Sequence, residues 1–189
     1  IAAIAVAGRQ FARPEWIEAA ARAFRFVVES MEEGRLPHSI RGEKRLFPAL
    51  SSDYAAMISA AIALYGATHD DGYVDQARQW LDRLVAWYLD DAGSGYFLTA
   101  SDSADTPMRI RGDMDDPIPS ATVQIVTALV HLATVSGSDE LYQHAVRVSE
   151  AALARAQNQA YGQLGIICAA ALAQRPMKLL INDPAGETF

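Results

Sequence analysis

Leu64-Tyr65-Gly66-Ala67-Thr68-His69-Asp70-Asp71-Gly72-Tyr73-Val74-Asp75-Gln76-Ala77 holds the end of one helical pattern, a short polar break and the start of another. Apolar residues at Met57, Ile58, Ala61, Leu64 and Tyr65 follow helical spacing up to His69, and Ser51, Ser52 or Asp53 is expected to cap that segment. After the break, Asp70 or Asp71 is placed to cap a helix whose residues Val74, Ala77, Trp80, Leu81, Leu84, Val85 and Tyr88 form one wide apolar face. Two helices joined by so short a connection read as an antiparallel hairpin.

The same hairpin recurs on both sides. Aligning Trp16, Tyr73 and Leu141 brings Ile17, Val74 and Tyr142 into step, and likewise Ala20, Ala77 and Ala145. Upstream, Ala7, Leu64 and Leu132 also match, and the offsets of 57 and 68 residues differ because the connecting loops differ in length. A repeated hairpin buries its apolar face against its neighbours, as in a solenoid or a closed ring.

The remaining elements follow from the same signals. The opening Ile1 to Gly8 has no basic segment before it and reads as helix. Pro14, with Glu15 beside it, starts a helix ending near Gly34, and Pro37 to Pro48 is expected to be a long connection or small β-hairpin. Tyr96 to Thr99 and Met108 to Arg111 read as two short strands around a polar turn. Pro119-Ser120 opens a helix ending at Gly137, Asp139 starts another reaching about Gln157, and a last one covers roughly Tyr161 to Ala173. Met177 to Ile181 is expected to be a terminal strand. The long loops Pro37 to Pro48 and Gly95 to Pro119 each precede the first helix of a hairpin, which puts both on one rim, where loop-borne function concentrates.

Composition narrows the classes. At 189 residues and 51% hydrophobic content, one domain spanning residues 1–189 is the default. Polar residues interrupt every apolar stretch before the roughly 18 to 20 residues needed to span a bilayer, so no membrane partner is expected. A net charge of −7 with mixed signs along the chain argues against nucleic acid. Cys168 lies in an apolar run and reads as a small buried hydrophobe; with no disulfide pair and no secretion signal, a cytoplasmic location is the default. His38, His69, His131 and His144 have no close helical spacing, so neither a metal nor a cofactor is expected. His69 falls in a helix-ending turn and His144 on a polar helix face. His38, in the rim loop, is the histidine retained as a candidate base.

Asp53-Tyr54-Ala55, then Leu64-Tyr65 with Thr68, Tyr73 and Ala77, then Gly95-Tyr96-Phe97-x-Thr99, and above all Arg109, Asp115, Pro119 and Ser120, occur in an order that resembles the C-terminal helical domain of thioredoxin-domain-containing proteins of the spermatogenesis-associated type. The resemblance covers nearly the whole chain, although Ala121-Thr122 stands where relatives tend to carry Gly-Asn. It implies an all-α (α/α)6 barrel of the six-hairpin glycosidase kind, preceded in full-length relatives by a thioredoxin-like domain. Three hairpins are visible here against the six of a closed barrel. The chain is therefore expected to be a partial α/α-hairpin toroid with small β excursions: either the C-terminal part of a larger barrel, or a form that completes its ring as a homodimer.

Asp53 and Asp115 precede first helices of hairpins on the same rim. Paired carboxylates are what glycoside chemistry uses, yet both also stand where a negative charge offsets a helix dipole. Arg109 and Arg111 share a face of an extended segment; they can bind a carboxylate or sugar phosphate, or pair with Asp113, Asp115 or Asp116. Ser120 lacks the Gly-x-Ser-x-Gly context of a nucleophile. Trp80, Trp87 and Tyr88 are spaced for packing rather than for a sugar platform, and Tyr54 is the aromatic placed in the funnel. Asp53 and Asp115 are thus the candidate catalytic pair, and Tyr54, Arg109, Arg111, Asp116, Ser120 and His38 the candidate ligand-binding set, for a carbohydrate-type small molecule. The competing expectations are a non-enzymatic scaffold and a sugar isomerase like the N-acylglucosamine 2-epimerases, which would need paired histidines.

Overall fold

A computed structural model describes residues 1–103, 106–156 and 160–174. They form helices α1 (Ala2–Gln10), α2 (Pro14–Glu29), α3 (Ser51–Thr68), α4 (Gly72–Tyr88), α5 (Ala121–Ser136), α6 (Asp139–Ala156) and α7 (Leu164–Gln174), with a 3-10 turn at Ala160–Gly162 before the last. Strands β1 (Ser39–Arg41) and β2 (Lys44–Leu46) make one antiparallel hairpin, in the register Ser39 to Leu46.

The chain is mostly helical, and its helices fall into two kinds. α1, α3, α5 and α7 pack side by side in that order, while α2, α4 and α6 each pack against the helix that precedes them. The composition of each helix follows from that placement. α3 and α5, with neighbours on several sides, bury residues around much of their circumference, including Tyr54, Ala55, Ile58, Ala61 and Leu64 in α3 and Thr122, Ile125, Val126, Leu129, Val130 and Leu132 in α5. α4 buries a single stripe, Val74, Ala77, Trp80, Leu81, Leu84 and Tyr88, and keeps its charges outside. Phe24 of α2 meets Tyr73 and Trp80 of α4, at ring-centroid distances of 5.2 and 5.3 Å. Trp80 and Tyr88 are fully buried, as their spacing predicts.

Helix ends follow the sequence signals in part, and α2 stops at Glu29, short of the expected Gly34. Pro14 stands in the first turn of α2, and Ser120 caps α5, its hydroxyl accepting the Val123 N–H. Gly137 ends α5 in the left-handed conformation that glycine adopts at little cost, and His69 ends α3 in the same conformation. For α3, however, the capping residue is Leu50 rather than Ser51, Ser52 or Asp53; Asp53 sits three positions into the helix and reaches back to the Leu50 N–H at 2.7 Å. At α4, Asp71 makes no side-chain cap, and it is Asp70 Oδ1 that accepts the Gly72 N–H at 2.9 Å. Tyr96 to Thr99 and Met108 to Arg111 do not form a two-stranded ladder: isolated bridges pair Leu89 with Tyr96 and Phe97 with Arg111.

Cys168 is exposed, against the expectation of burial. α7 packs on α5 and α6 through Ile166, Ala169, Ala170 and Ala173, and the cysteine lies on another side of the helix. The expected strand at Met177 to Ile181 lies outside the described residues. No described helix is long and apolar enough to cross a membrane.

Candidate functional site

Both long loops enter first helices of hairpins, and they are tied to each other. The Ser51 N–H at the start of α3 donates to Leu98 O at 3.0 Å. Arg35, in the loop after α2, forms a two-pronged ion pair with Asp102 in the loop after α4, its Nη2 lying 3.0 Å from Oδ1. The Arg35 guanidinium also stacks over Trp87, 4.1 Å from the ring centroid. The hydrogen bond from Arg35 holds the Asp102 carboxyl below the usual range despite its partial burial. Neither Arg35 nor Asp102 stands out in the sequence, because the pair spans two irregular segments.

His38 and Asp53 meet on this rim. The carboxylate Oδ2 of Asp53 lies 2.7 Å from His38 Nδ1 and also accepts the Leu50 N–H. The β-hairpin positions the imidazole, since the His38 N–H donates to Leu46 O at 2.8 Å. The His38 side chain is 39% exposed and the Asp53 side chain 30%. With Nδ1–H directed at the carboxylate, Nε2 becomes the basic nitrogen, an arrangement competent for proton transfer.

Asp115 is placed otherwise. Its Oδ1 accepts the Ser120 N–H at 2.9 Å and its Oδ2 accepts the Gly165 N–H at 2.7 Å, so one carboxylate joins the entrance of α5 to the first turn of α7. Its own N–H donates to Gly162 O at 2.7 Å. Among the described residues no hydrogen bond links Asp53 to Asp115. Ser120, only 4% exposed, is committed to its cap, and Asp116 is exposed, its N–H donating to Ile118 O.

The two arginines hold the long loop in shape. Arg109 donates to the carbonyls of Trp87 (2.8 Å) and Thr99 (3.2 Å), and Arg111 Nη2 pairs with Asp90 Oδ2 at 2.6 Å. Both guanidiniums approach Phe97, at 4.2 and 4.8 Å from its centroid. The partner of Arg111 is therefore Asp90 at the end of α4 rather than Asp113, Asp115 or Asp116; Asp113 is taken by Arg155 at 2.8 Å. Burial pushes the Asp90 carboxyl up, but the Ser94 N–H and Arg111 outweigh it and hold its pKa below the ordinary value.

Two aromatic and histidine expectations change. Tyr54 is fully buried, its hydroxyl accepting the Leu36 N–H at 3.3 Å and its ring 5.6 Å from that of Tyr88, so it belongs to the core beneath the rim and not to an open funnel. His144 is not on a purely solvated face: it lies 2.7 Å from the Tyr96 hydroxyl, and desolvation followed by the charge of Arg147 lowers its pKa. His131 lines an open groove of about 470 Å³ between α1, α3 and α5, together with Val6, Ile62 and Val135.

No family model matches the chain. Over 86 residues, 45% of its length, it is 29% identical to spermatogenesis-associated protein 20 of Mus musculus, and that match spans 11% of the mouse protein. The similarity supports a distant relationship to that protein's family.

Proposed function

We propose that this chain is a scaffold segment of an α/α-hairpin toroid, in which the rim carboxylates hold helices in place rather than carry glycoside chemistry. The observation behind this reading is Asp115, whose two oxygens each accept a backbone N–H, one at the entrance of α5 and one in α7. A carboxylate used this way is fixed by the fold and has little freedom to act as acid or nucleophile. Arg109, spent on two carbonyls, and Arg111, spent on Asp90, fit the same role. The test pairs Asp115→Asn with chromogenic glycosides of several sugars. The scaffold reading expects no hydrolysis by either protein and a lower melting temperature for the variant; hydrolysis abolished by the substitution at unchanged melting temperature overturns it.

A second reading rests on His38 and Asp53 alone. A half-exposed imidazole 2.7 Å from a carboxylate is equipped to take a proton from a polyol hydroxyl, which favours a carbohydrate-type small molecule on the rim. A thermal-shift screen with sugars, repeated on His38→Ala, separates the two: a stabilising sugar whose effect disappears in the variant supports this reading, and no shift with any sugar counts against it.

A further inference from the structure

Three helices present the same face to one groove of about 470 Å³, for which α3 supplies the floor and α1 and α5, packed on either side of it, the walls. The repeat register accounts for the lining. Ala2, Val6 and Arg9 of α1 correspond to Ser59, Ala63 and Gly66 of α3, 57 positions on, and these to Thr127, His131 and Thr134 of α5, 68 positions further. All of these except Thr134 line the groove. They recur at four- and three-residue spacing, so each set is one stripe of its helix. Among the described residues no part of α2, α4, α6 or α7 contributes.

One end of the groove carries a positive charge. Gly66 stands in the last turn of α3 at the level where α1 has Arg9. Glycine costs a helix about 1 kcal/mol relative to alanine, and here it makes room: a Cβ at position 66 would stand 3.1 Å from Arg9 Nη1. The guanidinium reaches α3 at that point, Nη1 donating to Gly66 O at 3.2 Å. Among the described residues this is the one hydrogen bond of the Arg9 side chain, and no aspartate or glutamate lines the groove. Most of the five guanidinium N–H donors are therefore uncommitted, in an acid-free lining on a chain of net charge −7. One turn away along the helices come the apolar side chains of Val6, Ile62 and Ala63.

We propose that this groove binds a small amphipathic monocarboxylate, its carboxylate on Arg9 and its apolar body along Val6, Ile62 and Ala63. Three features specify that ligand. A lone guanidinium with free donors matches one carboxylate in a two-pronged pair, whereas a phosphate dianion calls for more positive charge than the lining holds. The aliphatic surface of Val6, Ile62, Ala63 and Val135 suits a hydrocarbon body and would leave the hydroxyls of a sugar ring unpaired. The volume falls in the range of small-molecule sites, and the rise from Ala2 to Arg9 along α1 is roughly 10 Å, close to the length of an extended eight-carbon acid. The floor and both walls are helices of this chain, and the site shares no residue with the rim, so it goes beyond the scaffold role and does not depend on His38 or Asp53.

Isothermal titration calorimetry of the whole chain with sodium octanoate tests it, beside sodium acetate, which has the charge without the body. Two variants act on different parts of the groove: Arg9→Met removes the charge and keeps an aliphatic stem, and Ala63→Leu fills the space beside Val6 and Ile62. Arg78→Met, which breaks an exposed ion pair with Asp75 on α4, is the charge control. Circular dichroism checks that each variant keeps its helix content. The expected result is saturable binding of octanoate at one site, at least ten-fold weaker binding of acetate, a loss of ten-fold or more in Arg9→Met and in Ala63→Leu, and no change in Arg78→Met. A parent chain that shows no saturable binding overturns the proposal. So does an affinity that Arg9→Met leaves within two-fold of the parent, or one that Arg78→Met lowers to the same extent, since general charge attraction would then account for the binding.

Discussion

Asp115 and Gly165 lie 50 positions apart in sequence, yet the carboxylate Oδ2 of the first accepts the backbone N–H of the second at 2.7 Å. The same side chain holds the Ser120 N–H, so the entrances of two neighbouring helices depend on one aspartate. Replacing it strands two donors at helix starts, where no intrahelical partner exists. Asp115→Ala is expected to cost about 2 kcal/mol, and Asp115→Asn, which keeps one acceptor oxygen, less. Urea unfolding followed by circular dichroism measures both; a cost for Asp115→Ala within error of zero would show that the contact contributes nothing.

Arg111 and Asp90 form the other rim contact with a measurable consequence. The Asp90 side chain is 7% exposed, so Arg111→Met leaves a nearly buried carboxylate with its Ser94 contacts but no counter-charge. A loss of about 2 kcal/mol is expected, below the roughly 3 to 5 kcal/mol of a fully buried pair because Arg111 is partly solvated. Since the folded pKa of Asp90 is depressed, its stabilising share is present above the unfolded value of 3.8 and is lost as pH falls through the folded one. The parent should therefore lose more stability than Arg111→Met on acidification below about pH 4. Parallel acid titrations of the two proteins would refute this if their curves stayed equally spaced.

His144 sets a different pH window. Burial beside Tyr96 lowers its pKa from 6.5, so the unfolded chain takes up a proton at a pH where the folded chain does not. Stability from this residue is full above the unfolded value and declines as pH falls from there through the folded value. His144→Gln should flatten the stability profile below about pH 6.5, which thermal melts at stepped pH will read. An unchanged slope would assign the dependence elsewhere, His131 being the other histidine with a burial-lowered pKa.

His69 closes α3 with φ of 57°, a conformation that strains a side-chain-bearing residue. Glycine adopts it freely, as Gly137 does at the end of α5. His69→Gly should raise stability by about 0.5 kcal/mol, the backbone gain being partly offset by loss of the ring contact with Tyr65 at 6.3 Å. A destabilised variant would mean that the Tyr65 contact outweighs the strain.

The hairpins are legible in the sequence because each is written locally: a run at helical spacing, a break at His69 to Asp71 or at Gly137-Ser138, and a second run. The β-hairpin was equally local. The rim was harder. Asp53 and His38 can both be nominated as polar residues near a helix entrance, but their 2.7 Å contact depends on a β-hairpin folding back over α3, which no periodicity encodes. Arg35 and Asp102, 67 positions apart, carry no motif, and the same holds for Asp90 as the partner of Arg111. Tyr54 was misplaced because a tyrosine at a helix entrance gives no sign of which way its ring turns. Its burial follows from Leu36 and Tyr88 arriving from other elements.

The side-by-side order of α1, α3, α5 and α7 has one further consequence, for how the molecule comes apart. Among the described residues α1 packs on α3, α3 on α5 and α5 on α7, so the strong contacts run between near neighbours. Disruption of one hairpin is felt first by the hairpin beside it and is diluted further along. α3 and α5, flanked on both sides, become the last to exchange their amide protons.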